Sequence, residues 1–265
     1  MTQRSRKLIL DTQFMPEWAL ENKLCGDAFI RRLALKNKRI TLPNKLGVGL
    51  SYKKIDFNNG VVKPLVGAGS KCVYVVDKTG TVYDVKRSCF LKGTIKDILK
   101  KDIESGVINE DKWIVEEKVG SNSYPANDYK FYCFYGKILL VLEVYRHPRV
   151  MHCWYNSEGD VVDTGKYEGK LFEGEDFPFG ILEEVKIISK SILAPFMRID
   201  YITDGDYCYF NEFTPRPGQY EKFNDIYDNK LGEEFMEAEG RLYKDLLNGK
   251  SFEDFKSVYN NSLCK

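Results

Sequence analysis

The chain has 265 residues and a mass of 30.7 kDa, enough for one or two domains with a full core. Forty Lys and Arg against 39 Asp and Glu leave a formal net charge of +1, and aromatics make up 14%. This balance excludes binding to nucleic acid or anionic membrane by bulk charge, and it excludes a disordered chain. No stretch approaches the ~20 apolar residues that span a bilayer, and the apolar run at 8–10 is too short for a signal peptide. The seven cysteines are scattered without CxxC spacing, which suits reduced thiols. A soluble cytoplasmic protein with no nucleic-acid partner and no membrane span is expected.

Apolar residues at helical spacing predict a helix over 18–35, stopped by KNKRITLP with Pro43 closing it. Residues 60–91 predict several short strands, and Lys78, Thr79 and Gly80 are the clearest hairpin turn. A helix follows over about 94–104, then a strand at 112–119 (KWIVEEKV) and a polar loop at 121–128. The run YKFYCFYGKILLVLEVYR predicts a long strand pair turning at 135–137, and 152–179 reads as strand and loop. Residues 181–194 predict an amphipathic helix with Ile181, Val185, Ile188 and Ile192 on one face. MRIDYI and YCYFNEF then form a strand pair around TDGD, and 231–249 is helical. Helices mixed with dominant antiparallel hairpins predict the α+β class.

Two stretches carry chemistry. The run VVKPLVGAGSKCVYVVD (61–77) sets strand, glycine loop and strand around Lys63 and Ser70. Glycines let backbone N–H groups approach phosphate oxygens, although the same run also reads as a plain exposed hairpin loop. Neither the GxxxxGK[ST] spacing nor a following helix is present, so this is no P-loop. In MRIDYITDGDYCYFNEFTPRPG (197–218), Arg198 and Asp200 share one strand face and Glu212 falls on the next strand. A two-residue Asp204-Gly205 turn would place Asp200 and Glu212 on opposite faces. A three-residue loop including Asp206 would place them on one face, with Arg198 facing Glu212 and Asp200 diagonal at roughly 7–8 Å by Cα. In that register the carboxylates could share Mg²⁺, which takes hard oxygen ligands and phosphates. A surface hairpin with an Arg–Glu pair is the plainer reading. His147 and His152 lack a third metal ligand and receive no role, and neither Ser70, without a GxSxG frame, nor Cys72, without a histidine in any recognisable arrangement, reads as a nucleophile.

These pieces, in this order, resemble the ATP-grasp superfamily over roughly residues 24–235. The ending Glu212-Phe213-Thr214, Pro217-Gly218, Phe223, Asp228 and Leu231-Gly232 is similar to its TupA-like branch, associated with teichuronopeptide and other cell-surface polymers. The resemblance implies an ATP-grasp fold of two α+β lobes clasping ATP. It divides the chain into a short helical, reduced N-terminal domain (1–56), a small lobe (57–119) and a large lobe with the metal site (120–265). Lys63, Gly67, Gly69 and Ser70 would cover the phosphates, and Glu116, Glu117 and Val119 would hold the adenine. Asp128 and Lys130 would lie near the reacting phosphate, and Asp200, Glu212 and Thr214 would hold Mg²⁺. Arg198 would stabilise developing charge, while Arg146 and Arg216 would hold an anionic acceptor.

The implied activity is ATP-dependent ligation of a small-molecule carboxylate to an amine through an acylphosphate. A nucleotide sugar or glycan could be among the substrates, and a homo-oligomer is conceivable. Three departures bear on it. Thr214 stands where most of the superfamily carries Asn, and Cys72 where a glycine often closes the phosphate loop. No lysine follows Gly26, Asp27 and Ala28, where an earlier nucleotide lysine falls, which leaves that contact to Lys23 or leaves it unmade. The alternatives are a non-catalytic nucleotide- or glycan-binding relative and, because Asn211-Glu212 resembles the acid/base dipeptide of some barrel enzymes, a glycoside hydrolase. Length and the hairpin-rich pattern count against a (β/α)₈ barrel.

Overall fold

Two antiparallel sheets, each backed by helices, make up the molecule; it is known from a computed structural model that describes residues 15–55, 58–66, 69–120, 122–175 and 177–259. The first sheet contains β1 (Lys45–Leu50), β2 (Gly60–Pro64), β3 (Tyr74–Val76), β4 (Val82–Asp84), β5 (Cys89–Leu91) and β6 (Trp113–Glu117), in the order β1-β6-β2-β3-β4-β5. Alternation along these strands sorts two faces. Val62, Tyr74, Val76 and Val82 pack with Ile95, Ile98 and Leu99 of a helix that follows β5 and spans Ile95–Glu104. Val61, Lys63 and Val75 turn to the opposite side, where they line a cleft. The β3–β4 turn falls at the expected place, because Asp77 Oδ1 accepts from the backbone N–H of Thr79 at 2.8 Å and of Thr81 at 2.9 Å.

The second sheet contains β7 (Asn127–Phe134), β8 (Lys137–Tyr145), β9 (Met151–Tyr155), β10 (Met197–Thr203) and β11 (Cys208–Thr214), ordered β11-β10-β7-β8-β9. Phe131, Val141, Ile199 and Tyr201 join the large core. Four helices contribute to it: α1 (Lys23–Lys36), α3 (Leu182–Lys190), α4 (Asp225–Leu247) and α5 (Glu253–Tyr259), with α2 being the helix Ile95–Glu104 of the first sheet. Each fully buried side chain of this size contributes about 1.5–3 kcal/mol. The same alternation leaves Asp128, Lys130, Arg198 and Asp200 on the other face. The short α5 packs Phe255 against Phe29 of α1, with ring centroids 6.0 Å apart.

The chain passes from the large core into the first sheet at 37–44 and returns at 118–126. These two passages lie side by side: Lys45 pairs with Glu116, and the Glu117 N–H donates to Asn44 O at 2.8 Å.

Several elements differ from expectation. The first helix is broken, with a 3₁₀ turn over Pro16–Glu21 and α1 starting after Asn22, whose Oδ1 accepts from Leu24 N–H at 2.9 Å. An Asn cap with extended backbone ends one segment and begins the next. Strand β1 has no forecast, because Gly47 and Gly49 weaken its strand pattern. Helix α4 starts at Asp225, earlier than 231, since Asn224 Oδ1 caps Tyr227 N–H at 3.0 Å. Cys72, Cys89, Cys133, Cys153 and Cys208 are free thiols, whereas Cys25 is disulfide-bonded, unlike the reduced state expected throughout. No described helix is long and apolar enough to cross a membrane.

Candidate active site

Between the two sheets lies a solvent-open cleft. The first sheet supplies Lys63 from β2, Gly69 and Ser70 from the loop after it, and Glu116, Glu117 and Val119 from β6 and beyond. The second sheet supplies Asp128, Arg146, Ile202, Asn211 and Glu212. Lys23, in the first turn of α1, also lines it. Burial lowers the pKa of Lys23, against the pull of nearby Glu212. A lysine at a helix start opposes the helix dipole, so its placement is not a stability device. Lys63 Nζ lies 2.6 Å from Glu116 Oε2, and both side chains are largely buried.

Beside the cleft, the polar face of the second sheet forms one ion-pair network. Lys130 Nζ donates to Asp200 Oδ2 at 2.9 Å and lies 3.5 Å from Asp128 Oδ1. Asp128 also pairs with Arg146. Arg198 donates through Nε to Asp200 Oδ1 at 2.7 Å and through Nη2 to Asp200 Oδ2 at 2.6 Å. The same Nη2 reaches Thr214 Oγ1 at 2.9 Å. Burial alone would push the Asp200 carboxyl up, but Arg198 and Lys130 overcome it and hold the pKa below the usual range. Asp128 behaves alike under burial, Arg146 and Lys130. Burial opposes the charge on Arg198, and Asp200 more than compensates, raising its pKa.

The hairpin register corrects both expected alternatives. Thr203 pairs with Cys208, which leaves a four-residue loop at 204–207. Pairing continues through Tyr201 opposite Phe210 and then shifts, so that Asp200 lies opposite Glu212 and Arg198 opposite Thr214. Uninterrupted pairing would set Asp200 against Asn211 and turn Glu212 to the helix side. The bulge at Asn211 brings Glu212 to the face of Asp200, so the carboxylates are directly paired, not diagonal, and Arg198 does not face Glu212.

Of the residues singled out from sequence, Lys63, Gly69, Ser70, Glu116, Glu117, Val119, Asp128, Arg146 and Glu212 line the cleft. Lys130, Arg198, Asp200 and Thr214 form the adjoining network. Arg216 lies outside the lining; it pairs with Glu21 and sits 4.8 Å over the Trp18 ring. Gly67 lies outside the described residues. Sequence reasoning missed Lys71 and the apolar walls Val61, Val75, Val85 and Ile202, and it named Asn211 only for the glycoside hydrolase alternative. Val61 was within reach, since it sits two residues before Lys63 on one strand face.

The donor set fits a nucleotide with a divalent cation. Valine walls suit a flat base, lysines 23, 63 and 71 suit phosphates, and Asn211 and Glu212 offer hard oxygens to a cation.

Three solved ligase structures are among those similar to this chain. The chain is similar to the D-alanine–D-alanine ligase of Bacillus anthracis complexed with ATP, at 16% identity over 81% of this chain and 65% of that one, with a TM-score of 0.44. The D-alanine–D-alanine ligase of Coxiella burnetii is similar at 13% identity over 86% and 59%, TM-score 0.47. The ATP-grasp ligase PsnB, complexed with minimal precursor, Mg and ADP, is similar at 9% identity over 79% and 57%, TM-score 0.43. The chain thus spans less than two thirds of the length of each of these three ligases. Among curated proteins, none matches. The sequence pattern of the TupA-like ATPgrasp family, by contrast, matches residues 1–236. With two antiparallel sheets around a lysine- and carboxylate-lined cleft, this chain belongs to the TupA-like ATP-grasp family.

Proposed function

We propose that this protein is an ATP-dependent carboxylate–amine ligase acting on cell-surface polysaccharide or glycan precursors. The observation that carries the reading is the convergence on one cleft of Lys63, the Gly69–Ser70 loop and Glu212, which come from three distant parts of the chain. Family membership supports ATP as phosphoryl donor. A carboxylate oxygen of the first substrate attacks the γ-phosphorus of ATP, and the bond to the ADP oxygen breaks. The amine nitrogen then attacks the acyl carbon, a C–N bond forms, phosphate leaves and the nitrogen gives up a proton. Mg²⁺, when bound, neutralises charge on the phosphates.

The chain's own residues do the positioning that such transfer needs. Lys23 and Lys63 hold phosphate oxygens. Lys130, already within 2.9 Å of Asp200, meets the transferring group. Arg198 is fixed by Asp200 and Thr214, so its remaining donors can stabilise negative charge on the acylphosphate without first being ordered. Arg146, paired with Asp128 at the cleft wall, suits an anionic acceptor. The branch's association with surface polymers favours a sugar carboxylate joined to an amino compound, and a cytoplasmic setting suits ATP supply.

The test is ADP release from ATP and Mg²⁺ across paired libraries of carboxylates and amines. ADP and phosphate should appear only when an acid and an amine are both supplied. Lys63→Ala and Glu212→Gln should each cut turnover by about 100-fold or more. Unchanged turnover in both variants would overturn the site.

A further inference from the structure

Two of the three metal ligands expected from sequence are already committed elsewhere. Both Asp200 oxygens accept from Arg198, at 2.7 and 2.6 Å, and Oδ2 accepts from Lys130 as well. Thr214 Oγ1 is taken by Arg198 at 2.9 Å. Asp200 is 0% exposed, and neither residue lines the cleft.

Asn211 and Glu212 behave oppositely. Both are half-buried and line the cleft. Among the described residues no hydrogen bond or ion pair engages either side chain. The bulge accounts for two consecutive residues reaching one space: Asn211 is the extra residue between Phe210, which pairs with Tyr201, and Glu212, which pairs with Asp200. In a regular strand, neighbours would point to opposite faces. An amide carbonyl beside a carboxylate is a pair of hard oxygen ligands, and Mg²⁺ is held by one or two such groups plus nucleotide phosphates. Lys23 and Lys63, both in electrostatic reach of one another and with Glu212 beside Lys23, mark where phosphates would lie.

We propose that the Asn211 side-chain oxygen and the Glu212 carboxylate hold the divalent cation accompanying the nucleotide, with Asn211 supplying the amide ligand that Thr214 does not. This rests on the reading of the cleft as a nucleotide site. The family resemblance points to position 214, two residues after the glutamate; at the bulge the available amide is the residue before it.

Mn²⁺ serves as the probe, titrated into the full-length protein loaded with ADP, with free Mn²⁺ read by electron paramagnetic resonance. ADP affinity in EDTA is measured separately by calorimetry. Asn211→Ala and Glu212→Gln should each weaken Mn²⁺ binding about tenfold or more, while Asn211→Asp, which keeps an oxygen in place, should retain it. Thr214→Val should leave Mn²⁺ affinity unchanged, and ADP affinity in EDTA should be the same in Asn211→Ala and Thr214→Val as in the parent protein. Wild-type affinity in Asn211→Ala, or a loss confined to Thr214→Val, would overturn the proposal while the nucleotide reading stands. Failure of the wild-type protein to bind ADP at all would remove both. Should Asn211→Ala not fold, paramagnetic broadening of the Asn211 side-chain amide resonance in the wild-type ADP complex reads the same contact. Broadening at the Thr214 methyl with a sharp Asn211 amide would refute it.

Discussion

His152 is 8% exposed and lies flat against Tyr167, with ring centroids 3.9 Å apart and planes 8° from parallel. Its Nδ1 is buried without a hydrogen-bond partner. Burial first, then Arg146, bring its pKa down to about 4 from 6.5, so the native protein holds a neutral ring. The unfolded chain takes up a proton below about pH 6.5. The associated stability is therefore complete above that pH and is lost as pH falls toward 4, by up to about 3 kcal/mol. Urea unfolding of His152→Phe at pH 7 and pH 4.5 should show a smaller acid loss than the parent protein; identical losses would refute the assignment. This histidine illustrates what residue types alone leave open. HPRVMH shows two imidazoles, but nothing in those letters says that one will stack on a tyrosine fifteen positions later.

At the scale of elements, the turns at 78–80 and 135–137 were the most readable signals, because their chemistry is local, whereas the helix caps went unread. Thr94 opens α2, with Oγ1 accepting from Asp97 N–H at 3.2 Å and donating to Asp97 Oδ2 at 2.8 Å. Thr94→Ala should cost about 1 kcal/mol, seen as a lowered urea midpoint with an unchanged slope. The loss would weaken the only helix that contributes to the core of the first sheet among the described residues. The reverse case is the Asn211 bulge. Its location depends on how a four-residue loop at 204–207 and the pairing of Asp200 with Glu212 are reconciled, and no single residue in NEFT announces that. Strand β1 was unreadable for a related reason: two glycines erase its pattern, and it forms through pairing with β6, more than sixty residues away.

For the whole molecule, class and strand pairing could be inferred from alternation and turn chemistry, while the cleft itself could not. Lys63 and Glu212 meet only because two sheets with separate cores face one another, and the intervening distances are set by packing, not by spacing in the chain. The family resemblance supplied what local patterns lacked. Because a nucleotide would touch both sheets, it should stabilise them together. Thermal unfolding with ADP and Mg²⁺ at a hundred times the dissociation constant should show a gain of about 2.7 kcal/mol. Hydrogen exchange should slow in β2 and β11 at once; protection confined to one sheet would contradict a shared site.

The adjacency of the two passages at Asn44 and Glu117 has a mechanical corollary. A body fastened by two straps at neighbouring points resists sliding and lateral shear but can pivot about the line through them. The first sheet is hung in this manner, like the cover of a book on its spine, and the spine runs past Glu116 and Glu117, on the wall of the cleft. A small change in backbone torsion there would be magnified at Gly69 and Ser70, the part of that sheet's lining that follows the far end of β2.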